Sequence, residues 1–319
     1  MESGIIARGL TKSFPNVLAV DHVDLTVREG EIYGLVGPDG AGKTTTIRLL
    51  CGVLRPDEGE IIVGGINIRQ HPDLAREQIG YLSQRFSLYE EMTVLENLRF
   101  FSEVRGLSSD EWYGHTMKIL EFVGLADFVD RRAGQLSGGM KQKLGLATAL
   151  VHKPKSLLLD EPTTGVDPLM RQEFWQLIIR LVNTEGVSVL VSTPYMDEAA
   201  RCTVVGFMKG GKIIVEDHPE NLRHRLDGRV IELVGTPVRL LREIALEVDG
   251  VEDVQMFGDR LHLHVENTKA KKVIKTLQRT IPGRGGALTS IEVISPQMED
   301  IFIDFLTANQ GNGLRANEG

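Results

Sequence analysis

Gly37-Pro38-Asp39-Gly40-Ala41-Gly42-Lys43-Thr44, followed by Thr45, is a glycine-rich stretch closing on a lysine and two hydroxyls. Glycines at these spacings let backbone N–H groups turn inward around the phosphates of a nucleotide, and a following helix adds its positive end. Lys43 suits the β/γ oxygens, and the Thr44 hydroxyl suits Mg2+. Taken alone, a glycine-rich turn that happens to precede a lysine would read the same way. Further on, Ser156-Leu157-Leu158-Leu159-Asp160-Glu161-Pro162 is an apolar run ending in two carboxylates. A buried strand would deliver both to the carboxyl edge of an open α/β sheet, where ligands bind. There Asp160 would hold Mg2+, and Glu161 would orient or deprotonate an attacking water. By spacing alone the acidic pair reads equally well as a helix cap beside Pro162.

A second glycine pair decides between these readings. Leu136-Ser137-Gly138-Gly139-Met140-Lys141-Gln142 opens a helical stretch running to Leu150. A serine cap followed by bare glycine amides makes another anion site. One chain with two such sites on separate subdomains makes sense if two chains pack head to tail, each closing the other's ATP.

The elements that must position these groups follow from patterning. Ile5 to Ala7, Val23 to Val27 and Glu31 to Tyr33 read as short strands, and Gly34 to Gly37 brings a strand into the glycine loop ahead of a helix over Thr44 to Leu50. Residues 57 to 68 read as a hairpin with turns at Glu58-Gly59 and Gly64-Gly65. From Thr93 to Leu150 apolar residues recur at helical spacing (Leu95, Leu98, Phe101, then Ile119, Leu120, Val123). Leu157 to Leu159 and Val187 to Val191 read as buried parallel strands separated by a helix over Gln172 to Val182. The expected fold is therefore an α/β P-loop core with an antiparallel β part and a helical insertion over about 86–150, all within residues 1–222. A small α+β domain over 228–306, patterned strand, helix, strand, strand, helix, strand, helix, and a disordered polar tail over 307–319 complete the expectation. His262 and His264 alternate on one strand of that domain; with no third ligand at suitable spacing they read as a solvated strand face rather than a metal site.

Composition narrows the function classes. A net charge of −8 over 319 residues argues against a nucleic-acid-binding surface. The two cysteines, Cys51 and Cys202, show no disulfide or metal spacing, as expected of a reducing cytosol. No apolar run approaches the roughly 18 residues of a membrane span, and Met1-Glu2-Ser3-Gly4 carries no basic, apolar leader.

With these motifs in this order, residues 1 to about 222 resemble the ATPase domain of ATP-binding cassette (ABC) transporters. Nearly the whole chain is similar to the first ATPase half of tandem, two-cassette ABC-2-type efflux ATPases, down to the closing Met298-Glu299-Asp300-Ile301-Phe302-Ile303-Asp304. The resemblance implies ATP and Mg2+ as cofactors, ABC-2-type transmembrane permease subunits as partners, a second ABC ATPase as dimer mate, and a place on the cytoplasmic face of a bacterial inner membrane. It implies that Gln84 senses Mg2+ and water, that Phe14 stacks on adenine, and that Ser137, Gly138 and Gly139 complete a partner's nucleotide site. Val166-Asp167 matches the loop that crosses the dimer interface, and Phe86 to Met92 is the expected groove for a cytoplasmic helix of the membrane subunit. Three positions depart from the family: Asp39 for the usual asparagine, Met140 for glutamine, and Pro194 for the histidine that donates to the γ-phosphate. Proline can donate from neither side chain nor backbone, so the expectation is a site that binds ATP, hydrolyses it slowly and pairs with a different ATPase. Alternatives are an ATP-binding regulatory subunit with little hydrolysis, or a non-transport ABC ATPase acting on ribosomes or DNA.

Overall fold

The computed structural model describes residues 3–84, 88–107 and 112–314, with side chains over 4–84, 88–107 and 112–306. It divides into two compact units, Met1–Glu216 and Asp217–Gly319. In the first unit the elements are β1 (Ser3–Phe14), β2 (Val17–Arg28), β3 (Ile32–Val36), α1 (Lys43–Leu50), β4 (Glu58–Val63), β5 (Ile66–Asn67), α2 (Pro72–Glu77) and β6 (Ile79–Leu82). They continue with α3 (Val94–Val104), α4 (Trp112–Val123), α5 (Gly138–Leu150), β7 (Ser156–Asp160), α6 (Pro168–Glu185), β8 (Ser188–Thr193), α7 (Met196–Ala199), β9 (Val204–Lys209) and β10 (Lys212–Asp217).

Strands β2-β1-β4-β5 form an antiparallel sheet, and β10-β9-β3-β8-β7-β6 form a second sheet whose β9, β3, β8, β7 and β6 run parallel. The central strands β3, β7 and β8 are buried at every residue, which is why their sequences run apolar without alternation. Helix α6 turns Phe174, Trp175, Ile178, Leu181 and Val182 inward at helical spacing and ends at Gly186 in the left-handed region. Parallel register sets Val36 opposite Thr193, Asp160 opposite Ser192 and Leu82 opposite Leu159, so the ends of four strands meet at one sheet edge. Of the hairpin expected over 57–68, the Gly64-Gly65 turn is found, but Glu58-Gly59 lies inside β4, hydrogen-bonded to β1 rather than turning.

The second unit contains α8 (Pro219–His224), β11 (Val230–Thr236), α9 (Val238–Leu246), β12 (Val251–Phe257), β13 (Arg260–Val265), α10 (Ala270–Gly283), β14 (Ala287–Val293) and α11 (Met298–Leu314). Position 222, the expected end of the first domain, falls within α8 of this unit. Its antiparallel sheet runs β12-β13-β11-β14. Leu261, Leu263 and Val265 of β13 pack with Leu241 and Ile244 of α9 and Val273 and Leu277 of α10. Period-two alternation sends His262 and His264 to the opposite face, where both are buried and bonded to Asp300 of α11. The expected solvated face is thus corrected: α11 covers it, and its carboxylate satisfies the imidazoles. Of the tail expected to be disordered over 307–319, residues 307–314 continue α11, and 315–319 lie outside the described residues.

Candidate functional site

The loop after β3 is shaped by close backbone approach. A Cβ on Gly37 would stand 2.2 Å from the Met208 carbonyl oxygen. Gly42, at φ +109°, would bring one within 2.3 Å of the Ala19 carbonyl oxygen. Only glycine fits either position. Gly42 is also the N-cap of α1 and supplies no side-chain cap, so the first-turn N–H groups open onto the loop as an anion-binding end. Pro38, Asp39 and Gly40 are exposed, Ala41 is buried, and Thr45 is half-buried in the first turn.

Lys43 is buried, and its ammonium donates to the Gly37 carbonyl at 2.8 Å and the Pro38 carbonyl at 3.1 Å, with Glu161 Oε1 at 3.3 Å. Two carbonyls and one carboxylate therefore hold its charge across the mouth of the loop.

Asp160 ends β7 almost fully buried. Its Oδ1 accepts from Thr44 Oγ1 at 3.0 Å and from Ser192 Oγ at 2.8 Å, whereas its Oδ2 is buried without a hydrogen-bond partner. Burial pushes this carboxyl above its ordinary value, outweighing the two hydroxyl bonds that pull it down. A buried carboxylate with an orphaned oxygen beside a threonine hydroxyl is a donor set of hard oxygens that suits a divalent cation such as Mg2+.

Glu161 follows in the left-handed region at φ +48°, a strained conformation for a residue with a side chain. The neighbouring strand holds it there: its N–H bonds Ser192 Oγ at 3.0 Å and the Ser192 carbonyl at 3.1 Å. Its Oε2 accepts from Gln84 Nε2 at 3.0 Å and from Thr164 Oγ1 at 3.3 Å. Joined through Ser192 at the end of β8, Lys43, Thr44, Asp160, Glu161 and Gln84 thus form one polar cluster drawn from three strand ends and one helix.

Two positioning residues carry no signal in the motif reading. Ser192 bridges Asp160 and the Glu161 amide. Buried Glu198 accepts from Thr163 and Thr193 at 2.6 Å each, tying the loop after Glu161 to the end of β8. A polar Ser-Thr pair closing an otherwise apolar strand was the available clue to Ser192; Glu198 is recognisable only from its buried hydroxyl partners. Pro194 follows directly, half-buried, while the Tyr195 N–H is occupied by Thr193 Oγ1 at 3.0 Å.

The remaining candidates stand outside that cluster among the described residues. Phe14 lies 42% exposed at the β1–β2 turn, with the Lys12 ammonium 5.8 Å from its ring centroid. Ser137 caps α5 by accepting from the Met140 N–H at 3.3 Å, and both it and Gly138 are exposed while Gly139 is buried. Asp167 caps α6 through the Met170 N–H at 3.0 Å. Of the expected groove, Phe86 and Ser87 lie outside the described residues. No described helix is long and apolar enough to cross a membrane.

The family model described as ABC transporter matches residues 20–164. The chain is 39% identical over 307 residues to the probable multidrug ABC transporter ATP-binding protein YbhF of Escherichia coli (strain K12), covering 95% of this chain and 52% of that protein. It therefore spans about half the length of that relative. The daunorubicin resistance ATP-binding protein DrrA2 of Streptomyces coeruleorubidus is 33% identical over 320 residues, covering 98% of this chain and 97% of its own length. Among solved structures, the dimeric post-hydrolysis ATP-binding cassette MJ0796 with ADP and Pi is similar at a TM-score of 0.62 and 27% identity, covering 67% of this chain and 98% of that one. The chain belongs to the ABC transporter ATP-binding protein family.

Proposed function

We propose that this chain is the ATP-binding and hydrolysing subunit of an ABC-2-type exporter. It would work on the cytoplasmic face of a bacterial inner membrane with ABC-2-type permease subunits and a second ABC ATPase. The observation that carries the catalytic part is the Asp160 carboxylate, fixed through one oxygen by Thr44 and Ser192 with the other left unpartnered. The export part is supported by relatives whose names concern multidrug transport, daunorubicin resistance and Nod factor export.

In this reading the backbone N–H groups from Asp39 to Thr45 and the Lys43 ammonium bind the phosphates of ATP, and Phe14 offers its face to adenine. Thr44, Asp160 and Gln84 would hold Mg2+. Bound there, Mg2+ would neutralise charge on the β- and γ-oxygens. Glu161 accepts the proton of the attacking water while Gln84 and Thr164 fix its carboxylate. Ser137, Gly138 and Gly139 face the nucleotide of the second ATPase, and closure of the two cassettes is transmitted to the permease.

Pro194 adds a second element. The position after Thr193 has no donor to offer developing charge, and loss of one such donor costs about 10² to 10³ in turnover. The chain's own site is accordingly slow, and its serine–glycine turn serves a faster site on its mate. ATPase assays of the isolated chain and of Pro194→His test this directly. The expected result is slow wild-type turnover accelerated by histidine; fast turnover that histidine does not improve refutes the degenerate site.

A further inference from the structure

A cavity of about 1080 Å³ lies away from the nucleotide loop. It opens against Ser188, at the amino end of β8, whose carboxyl end carries Ser192 and Thr193. Six residues of extended strand, about 20 Å, separate the two ends, so the cavity and the nucleotide site are distinct.

Its walls come from two subdomains. Ile6 and Ile62 are cross-strand partners in the antiparallel sheet. Their neighbours Ile5, Ala7, Ile61 and Val63 point into the core, so alternation puts this isoleucine pair on the other face, where both line the cavity. A solvated face would be polar there; instead it is completed by Ile119 and Phe122 of α4, Leu150 of α5 and Leu181 of α6. Ser188 lies on the same wall, fully buried, with a hydroxyl that has no hydrogen-bond partner.

Charge gives the sign of the ligand. Exposed Lys118, Lys153 and Lys155 line the opening together with Glu29 and Glu185. None of the three lysines has an ion-pair partner within 4 Å among the described residues, and three lysines against two glutamates leave a net positive charge on a chain of −8. His115, also on the wall, is pushed below the ordinary imidazole value by burial and by the charges of Lys153 and Lys118, so it adds no charge at neutral pH.

We propose that this cavity binds an amphiphilic carboxylate of fatty-acid size. Its chain would lie against the Ile6–Ile62 pair and the α4 face, and its carboxylate would meet Lys118 and Lys153. Volumes of roughly 300–1,000 Å³ with mostly apolar walls and a few polar groups are typical of small-molecule sites. Because α4 and α5 belong to the helical insertion and β1, β4 and β8 to the sheets, an occupant would pin the insertion against the core. The proposal does not rest on the export reading.

Decanoate and decanol, titrated into the full chain against bound 8-anilinonaphthalene-1-sulfonate, test it. Saturable decanoate binding is expected, about tenfold tighter than decanol. Reversing two exposed charges (Lys118→Glu with Lys153→Glu) should weaken decanoate about tenfold and leave decanol unchanged. Filling the cavity with Ile119→Trp should abolish both. Binding of a fluorescent ATP analogue, measured in the same samples, reports folding and keeps failure of this site separate from failure of the nucleotide reading. No saturable decanoate binding, equal affinity for decanol, or affinities that neither variant changes would each overturn the proposal.

Discussion

Asp160 and Asp300 are both buried aspartates facing polar partners, one in each unit, and they have been driven in opposite directions. Asp300 has both oxygens engaged: Oδ1 takes His262 at 2.8 Å and His264 at 3.5 Å, and Oδ2 takes the Gln297 N–H at 2.8 Å. Burial alone would raise its carboxyl, but those bonds and the His262 charge overcome it and hold the group well below the usual range. Asp160 has one oxygen engaged and the other bare, and burial wins. A carboxylate satisfied from within the chain is structural; the one left incompletely compensated is where the proposed cation would bind.

The predictions press on that difference in order of size. Glu161→Gln removes the proposed base beside the bare carboxylate, and turnover should fall on the order of 10³-fold with nucleotide binding retained. Turnover within a few-fold of wild type in a steady-state assay would remove Glu161 from the reaction. Asp300→Ala leaves two buried imidazoles facing an empty position and should cost the second unit about 3 kcal/mol, read by denaturant unfolding, with ATP binding by the first unit unaffected. Smaller is the gain from Pro194→His, about 10- to 100-fold in turnover.

Smallest is the pH response of the second unit. Burial disfavours charge on His262, but its bond to Asp300, the Asp300 charge and nearby Glu232 prevail, and its value is raised. A raised imidazole contributes stability that is fully present below its unfolded value of about 6.5 and is lost as pH rises through the folded value. Depressed Asp300 contributes stability present above about 3.9 and lost as pH falls through its folded value. The second unit should therefore be most stable between about pH 4 and 6.5. A hydrogen-exchange profile that is flat from pH 5 to 8 would sink this part of the account.

Much of the candidate site's layout was legible because its motifs are local in sequence. The glycine loop needs Gly37 and Gly42 for backbone clearance, and the apolar run before Asp160-Glu161 forms the strand that brings them to the sheet edge, the reading that the second glycine pair favoured over a helix cap. The strand and helix order of the second unit followed from alternation as well. What sequence reasoning missed was set by packing between distant segments. His262 and His264 looked solvated because nothing on β13 announces that Asp300 lies 38 and 36 residues away. Ser192 and Glu198 act only through partners on other strands and loops. The cavity is likewise invisible in the sequence, since Ile6 and Ile62 come together only through the β1–β4 register.

The account turns on Asp160 as the carboxylate that receives Mg2+, and Asp160→Asn tests it most directly through thermal unfolding with ATP in Mg2+ or in EDTA. Wild type should gain an extra increment from Mg2+, up to about 2–3 kcal/mol of linked stability at a hundredfold excess over Kd. Asp160→Asn should melt at or above wild type without nucleotide and gain nothing further from Mg2+. Equal Mg2+ increments in the two proteins, or a variant already unfolded without nucleotide, would contradict the account.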